Sequence, residues 1–161
     1  KRGRMRQAGP LMLRTGHSYE KEGENMTIKN ILNVYHLLLS LGAFYMGITM
    51  ISNEGIFESF PEEWAGKLPF SDWMSLALFG MIVFGIGNGG ASVYGFIKKD
   101  KTIFTLALVM GALFLFCIIT PTVLLGEWYL PTVQFFIAAI IQLLLGASGF
   151  LSEILKRKKI H

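Results

Sequence analysis

Charge is scarce in this chain and is kept out of long stretches altogether. Only 16% of the 161 residues are Asp, Glu, Lys or Arg, against roughly 25% in a soluble domain. Cysteine is nearly absent too. Cys117 stands alone in an apolar run, which excludes an intrachain disulfide, a CxxC redox pair and a Cys/His metal site. The histidines are His17, His36 and His161. They are far apart, with two of them in polar tails, so neither a metal centre nor a cofactor is expected. Carboxylates are missing from the apolar runs until Glu153. Coupled transport of protons or cations usually relies on such a group at depth. No nucleophile–base pair or carboxylate cluster faces a surface, so an enzyme is not expected.

What is present instead is hydrophobic sequence in lengths that cross a bilayer, which takes about 20 residues. Four such runs occur, from about Ile31 to Ile51, Trp73 to Ile97, Thr102 to Leu125 and Pro131 to Leu155. Backbone in hydrocarbon must bond internally, so each run is predicted to be a helix. The expected fold is all-α, an integral membrane four-helix bundle. A polar basic segment (1–29) precedes the spanning domain (30–155), and a basic tail (156–161) follows it.

The basic residues predict direction. Lys29 and the amino-terminal arginines precede the first span, Lys98, Lys99 and Lys101 join the second and third, and Lys156 to Lys159 follow the fourth. Lys67 alone lies on the other side, among Glu54, Glu58, Glu62, Glu63, Asp72 and Glu127. Both termini are therefore expected in the cytoplasm, with the chain in the cytoplasmic membrane. Trp64, Trp73 and Trp128 fall at the predicted outer surface, where indole rings anchor in the headgroup layer. The net charge of +4 is explained by orientation. The bilayer is the expected partner, and nucleic acid is not.

The outer loop reads "NEGIFESFPEEWAGKLPFSD". Phe57, Phe60, Trp64 and Leu68 recur at helical spacing, Ser59 and Glu62 spell a capping box, and Pro61 suits a first turn. A short amphipathic helix on the outer face is predicted. It serves either as a cap on the first two spans, the simpler reading, or as a recognition surface. Ser71 or Asp72 would cap the second span.

Residues 85 to 90, "GIGNGG", spell Gly-x-Gly-x-x-Gly. A dinucleotide turn needs a strand before it and an acid about 20 residues later. Neither exists here, and the site would lie in hydrocarbon. The glycines fit a helix better. Gly85 and Gly89 are four apart, as are Gly87, Ala91 and Gly95, and small residues at that period let membrane helices approach closely. They face either another span or a second copy of the chain, and a local kink is expected.

Polar side chains within the spans should face inward and bond one another. By depth, Ser40, Asn88 and Gln142 form a candidate intramembrane cluster, with His36 as its titratable member, and Gln134 lies on the same predicted face as Gln142. Their simplest role is interhelical glue, and their alternative role is a small polar path. The proline in Thr120-Pro121-Thr122 should end or kink the third span.

The order "GIF…FPEEWAGKLPFSDW…FGIGN", with two further spans and a basic tail, is similar to a loose group of small four-span bacterial membrane proteins, mostly described as uncharacterised. The resemblance covers about residues 31 to 150. It implies a membrane bundle and brings no catalytic residues. The chain departs from small multidrug exporters, which carry a glutamate in the first span. The expected function is that of a non-enzymatic accessory, stress-response or immunity component acting through helix contacts with itself or another membrane protein. The alternative is a small oligomeric transporter or channel.

Lys21-Glu22-Gly23-Glu24-Asn25 can be encoded by a purine-rich stretch resembling a ribosome-binding site just before Met26. Met26 is thus a candidate natural start, with a genuine basic tail as the other reading. Intact-mass measurement of the natively expressed protein separates them. A mass that includes residues before Met26 ends the first.

Overall fold

The computed structural model describes residues 11–64, 66–98, 100–126 and 130–158, with side chains of the first helix described from residue 26 onward. Helix dominates, and no strand occurs among the described residues. Five α-helices run in chain order. They are α1 (Leu11–Ile51), α2 (Trp73–Gly80), α3 (Gly87–Lys98), α4 (Thr102–Leu125) and α5 (Leu130–Lys158). A π-helical stretch, Met81–Ile86, joins α2 to α3 without a break. The result is four rods of membrane-crossing length, Met26–Ile51, Trp73–Lys98, Thr102–Leu125 and Thr132–Leu155.

The rods pack as two antiparallel hairpins, α1 against α2–α3 and α4 against α5. The hairpins meet where α1 touches α5 and α3 touches α4, and α1 also reaches α4 across the bundle. Much apolar surface faces outward. Tyr45, Phe116, Val123 and Leu144 are each about two-thirds or more exposed, at 68%, 68%, 74% and 65%. Water would not tolerate a greasy surface of this extent, and lipid solvates it. This is a multi-pass membrane protein.

The first helix begins well before its apolar run. Residues 11–25, in the polar basic segment, are helical. Propagating a formed helix adds a hydrogen bond per residue, whereas starting one is costly. The membrane-held rod supplies the nucleus, and Leu11, Leu13, Glu20, Lys21 and Glu22 are good helix formers. At the far end Asn53 takes a left-handed conformation (φ 52°) and stops the helix.

The second span starts on a cap. The Asp72 carboxylate accepts the Ser75 backbone N–H at 2.7 Å, and that bond, with others from Ser75 and Ser71, holds its pKa below the ordinary 3.8. In the third span the helix runs straight through Pro121 to Leu125 instead of ending there. The Thr120 and Thr122 hydroxyls donate back to the Phe116 and Ile118 carbonyls, each at 2.8 Å. Gly126, left-handed at φ 74°, is the true stop, its N–H donating to the Thr122 carbonyl at 2.9 Å.

The outer loop departs from the expected single helix. It holds two 3₁₀ turns, Gly55–Phe57 and Glu62–Trp64. The aromatic residues are drawn onto Trp73 instead of lying along one stripe. Phe57, Phe60 and Trp64 pack edge-on to the Trp73 ring, with centroids at 5.0, 5.1 and 5.7 Å. The Trp73 indole N–H donates to the Ser59 carbonyl at 3.0 Å. These ring contacts and one buried N–H outweigh a few residues of marginal helix.

At the opposite end Leu32, Ile103, Phe104 and Ala107 form a fully buried apolar core, joined by Ile28 and Leu145. Close approach there depends on Gly149, where a Cβ would overlap the Phe104 ring. Phe104 is 0% exposed, so moving its ring would disturb the packed core around it. Gly149→Ala should therefore lower stability by about 1–3 kcal/mol through overpacking. Gly42, which meets nothing within 4 Å, is the control, and Gly42→Ala should be neutral or slightly stabilising. Denaturant titration in mixed micelles measures both, and equal shifts would refute the packing argument.

Candidate functional site: a polar layer buried between the spans

Three polar side chains from three helices meet deep in the bundle. His36 (α1) and Gln142 (α5) are 0% exposed and Asn88 (α3) is 1% exposed. At 1.5 Å rise per residue, His36 and Asn88 lie about 15 Å from the basic ends of their rods and Gln142 about 20 Å. That is close to the middle of a hydrocarbon core about 30 Å thick.

Asn88 is the hub. Its Nδ2 donates to the Phe84 carbonyl in the π-helical stretch at 3.0 Å, which directs Oδ1 toward the other two. Gln142 Nε2 donates to that oxygen at 2.9 Å. His36 Nδ1 lies 2.7 Å from it, and since a carbonyl oxygen only accepts, the imidazole proton is assigned to Nδ1. Gln142 Nε2 and His36 Nδ1 are 3.3 Å apart, two donors sharing one acceptor.

Neighbouring groups extend the layer. Ser40 does not join the trio. Its hydroxyl donates instead to the Gly85 carbonyl at 2.6 Å. The Ser92 hydroxyl donates to the Asn33 carbonyl at 2.9 Å, and Tyr35 Oη donates to the Ala138 carbonyl at 2.8 Å. The first span is thus stitched to the second and fourth through main-chain carbonyls. Gln134 is exposed and stands outside the layer. Among the described residues Asn33 Oδ1, His36 Nε2 and Gln142 Oε1 are buried without a hydrogen-bond partner. Asn33 Oδ1 lies where a Cβ on Gly95 would be, so the Gly95 Cα–H points at it, a weak C–H···O contact.

The small residues of the second span do not form one stripe. Gly85 and Gly89 face α1, with a Cβ at each coming to 3.0 Å from Phe44 and from Ser40 Oγ. Gly87 faces α4, where a Cβ would lie 2.8 Å from the Met110 methyl. Gly95 faces both Asn33 and Ile103, and Ala91 is buried. These glycines make room for spans of the same chain. A π-helical stretch widens the turn and shifts the register of all that follows, which spacing alone does not reveal.

Trp73 begins the second span and, at 8% exposed, is the centre of the aromatic cap. Trp64 packs beside it, and Trp128 lies outside the described residues. Tyr35 and Ser92 had no role in the sequence reading. Ser92, four residues after Asn88, could have been found as the next inward position on the same face.

No cluster of three or more His, Cys, Asp or Glu occurs among the described residues. The layer offers neutral donors and acceptors, and its chemistry is hydrogen bonding. No family model, curated protein or solved structure matches the chain.

Replacing Asn88 by Leu strands the His36 and Gln142 donors in a dry interior, at about 1–3 kcal/mol. In a double-mutant cycle Asn88→Ala and Gln142→Ala should couple by about 0.6 kcal/mol or somewhat more. Additive effects in micelle unfolding would show that this pair does not bind the spans.

Proposed function

We propose that this is a non-enzymatic protein of the bacterial cytoplasmic membrane, an accessory, stress-response or immunity component that works through helix contacts. The observation that carries this reading is the inward closure of the polar layer. Asn88, His36 and Gln142 bond one another, and the surface left for partners is apolar helix.

Both termini lie in the cytoplasm on this reading. Lys29, Lys98, Lys101 and Lys158 gather at one end, and Glu54, Glu58, Glu62, Glu63 and Asp72 at the other. Basic residues are retained on the cytoplasmic side. A cysteine placed by Lys67→Cys should react with an impermeant maleimide in intact cells, and one placed by Lys158→Cys should not. The reverse pattern would overturn the orientation. Pull-down from solubilised membranes should recover a stable membrane partner or a second copy of the chain.

A small oligomeric transporter is the second reading. It is favoured by the three buried acceptors Asn33 Oδ1, His36 Nε2 and Gln142 Oε1, which suit a passing cation or hydrated proton. Liposome flux that falls in Asn88→Leu would support it, and absent or unchanged flux would count against it.

A further inference from the structure

We infer that the polar layer is a proton-binding site, with His36 Nε2 as the seat of the proton. Among the described residues Asn33 Oδ1, His36 Nε2 and Gln142 Oε1 are buried without a partner, and all three are acceptors. His36 Nε2 is one because Nδ1 already carries the ring proton toward Asn88 Oδ1, at 2.7 Å. A buried acceptor left alone is costly, so what the layer lacks is a donor. Imidazole is the one base among these groups that titrates near neutral pH.

Size decides which donor fits. A buried water is the common remedy for unmet polar groups, and an ammonium ion would also suit such acceptors. Each needs a space as large as itself. The three atoms have almost no accessible surface, so no water-sized sphere rests against them. A proton needs no space. Bound at Nε2, it turns that nitrogen into a donor while Asn33 Oδ1 and Gln142 Oε1 stand ready to accept. One proton thereby answers two of the three unmet bonds.

The acceptors are close at hand. Gln142 Nε2 stands 3.3 Å from His36 Nδ1, so Oε1 belongs to an amide already against the ring. Asn33 precedes His36 by one turn of α1, and both are fully buried. In the neutral layer Gln142 Nε2 and His36 Nδ1 share Asn88 Oδ1. A charged ring makes the stronger bond to that oxygen. The Gln142 amide, whose terminal torsion is soft, then rotates to bring its own oxygen to the cation. Proton binding thus re-pairs α5 with α1 at the junction of three rods.

No fixed charge lies at this depth. The other titratable groups of the packed spans are Lys29, Tyr35 and Tyr45 on α1, Tyr94 and Lys98 on α3, Cys117 on α4, and Glu153 on α5. The charged ones stand toward the rod ends. Lys29 is about 10 Å along α1 from His36, and Glu153 about 16 Å along α5 from Gln142. Tyr35 Oη donates to the Ala138 carbonyl and Tyr94 Oη to Asp100. The layer meets the imidazolium with neutral amide dipoles alone. Without a carboxylate to hold the charge, the proton can leave again, and the site responds reversibly to acidity.

The inference rests on the geometry of the layer, and its failure would leave the accessory role standing. Solid-state nitrogen-15 NMR of the full-length protein in lipid bilayers, labelled on histidine rings and glutamine side chains, tests it. A His36→Gln sample identifies the His36 signals against those of His17 and His161. Should that variant fail to fold, the double variant His17→Gln, His161→Gln isolates them instead. At about pH 8 His36 should show one protonated nitrogen, Nδ1, and one bare nitrogen, Nε2. Toward about pH 4 the bare signal should give way to a second protonated one, and the Gln142 amide signal should move at the same midpoint. A ring unchanged by acid in a folded bundle would overturn the site. So would a proton already on Nε2 at about pH 8, protonation that leaves the Gln142 amide unmoved, or protonation only as the bundle unfolds.

Discussion

A primary amide in hydrocarbon has no water to turn to, and the Asn88 amide meets this constraint by joining three helices. Its nitrogen holds the Phe84 carbonyl of its own rod, and its oxygen draws in His36 from α1 and Gln142 from α5. Nothing in lipid resembles the hydrophobic drive that assembles helices in water. Directional bonds of this kind are therefore among the few forces that select one arrangement of four greasy rods over others. The single acceptor shared by two donors also sets the relative depth of the three helices.

Close packing makes that layer possible. Gly85 and Gly89 admit Phe44 and Ser40, Gly87 admits Met110, and Gly149 admits Phe104. The polar layer lies between two apolar zones. Toward the acidic end Phe84, Phe114 and Phe135 stack at 4.7 and 6.0 Å. Toward the basic end Leu32, Ile103, Phe104 and Ala107 close the bundle. Full burial of His36, Asn88 and Gln142 strengthens the hydrogen bonds among them. Beyond the aromatic stack, the Trp73 cluster folds the outer loop down over the first hairpin.

The two ends of the bundle differ in chemistry. At the basic end Lys101 lines a groove between α4 and α5, and Asp100 secures the turn between α3 and α4. Desolvation pushes its carboxyl up, but the bonds from Thr102 and Tyr94 outweigh this and leave its pKa below the ordinary 3.8. At the acidic end the glutamates stand around a loop held by ring contacts. An accessory protein working through its flanks would need such a closed interior, since polar groups turned outward would bind lipid-exposed partners without selectivity.

Four rods and their approximate ends were legible in the chain, because length and the absence of charge follow directly from a hydrocarbon layer about 30 Å thick; Tyr35 and Ser92 were missed among the inward polar residues, and Gln134 proved exposed. Asn88 and Gln142 were legible for the same reason, since an amide at that depth has to find a partner. Which partner was not legible. Ser40 and His36 sit one turn apart on α1, and only the packed bundle assigns the amide to His36 and sends Ser40 to the Gly85 carbonyl. The π-helical stretch was equally hidden. It packs along α1 and shifts the register of the glycines that follow. Period and composition depend on the chain alone, whereas register, rotamer and ring stacking depend on what each neighbour leaves free.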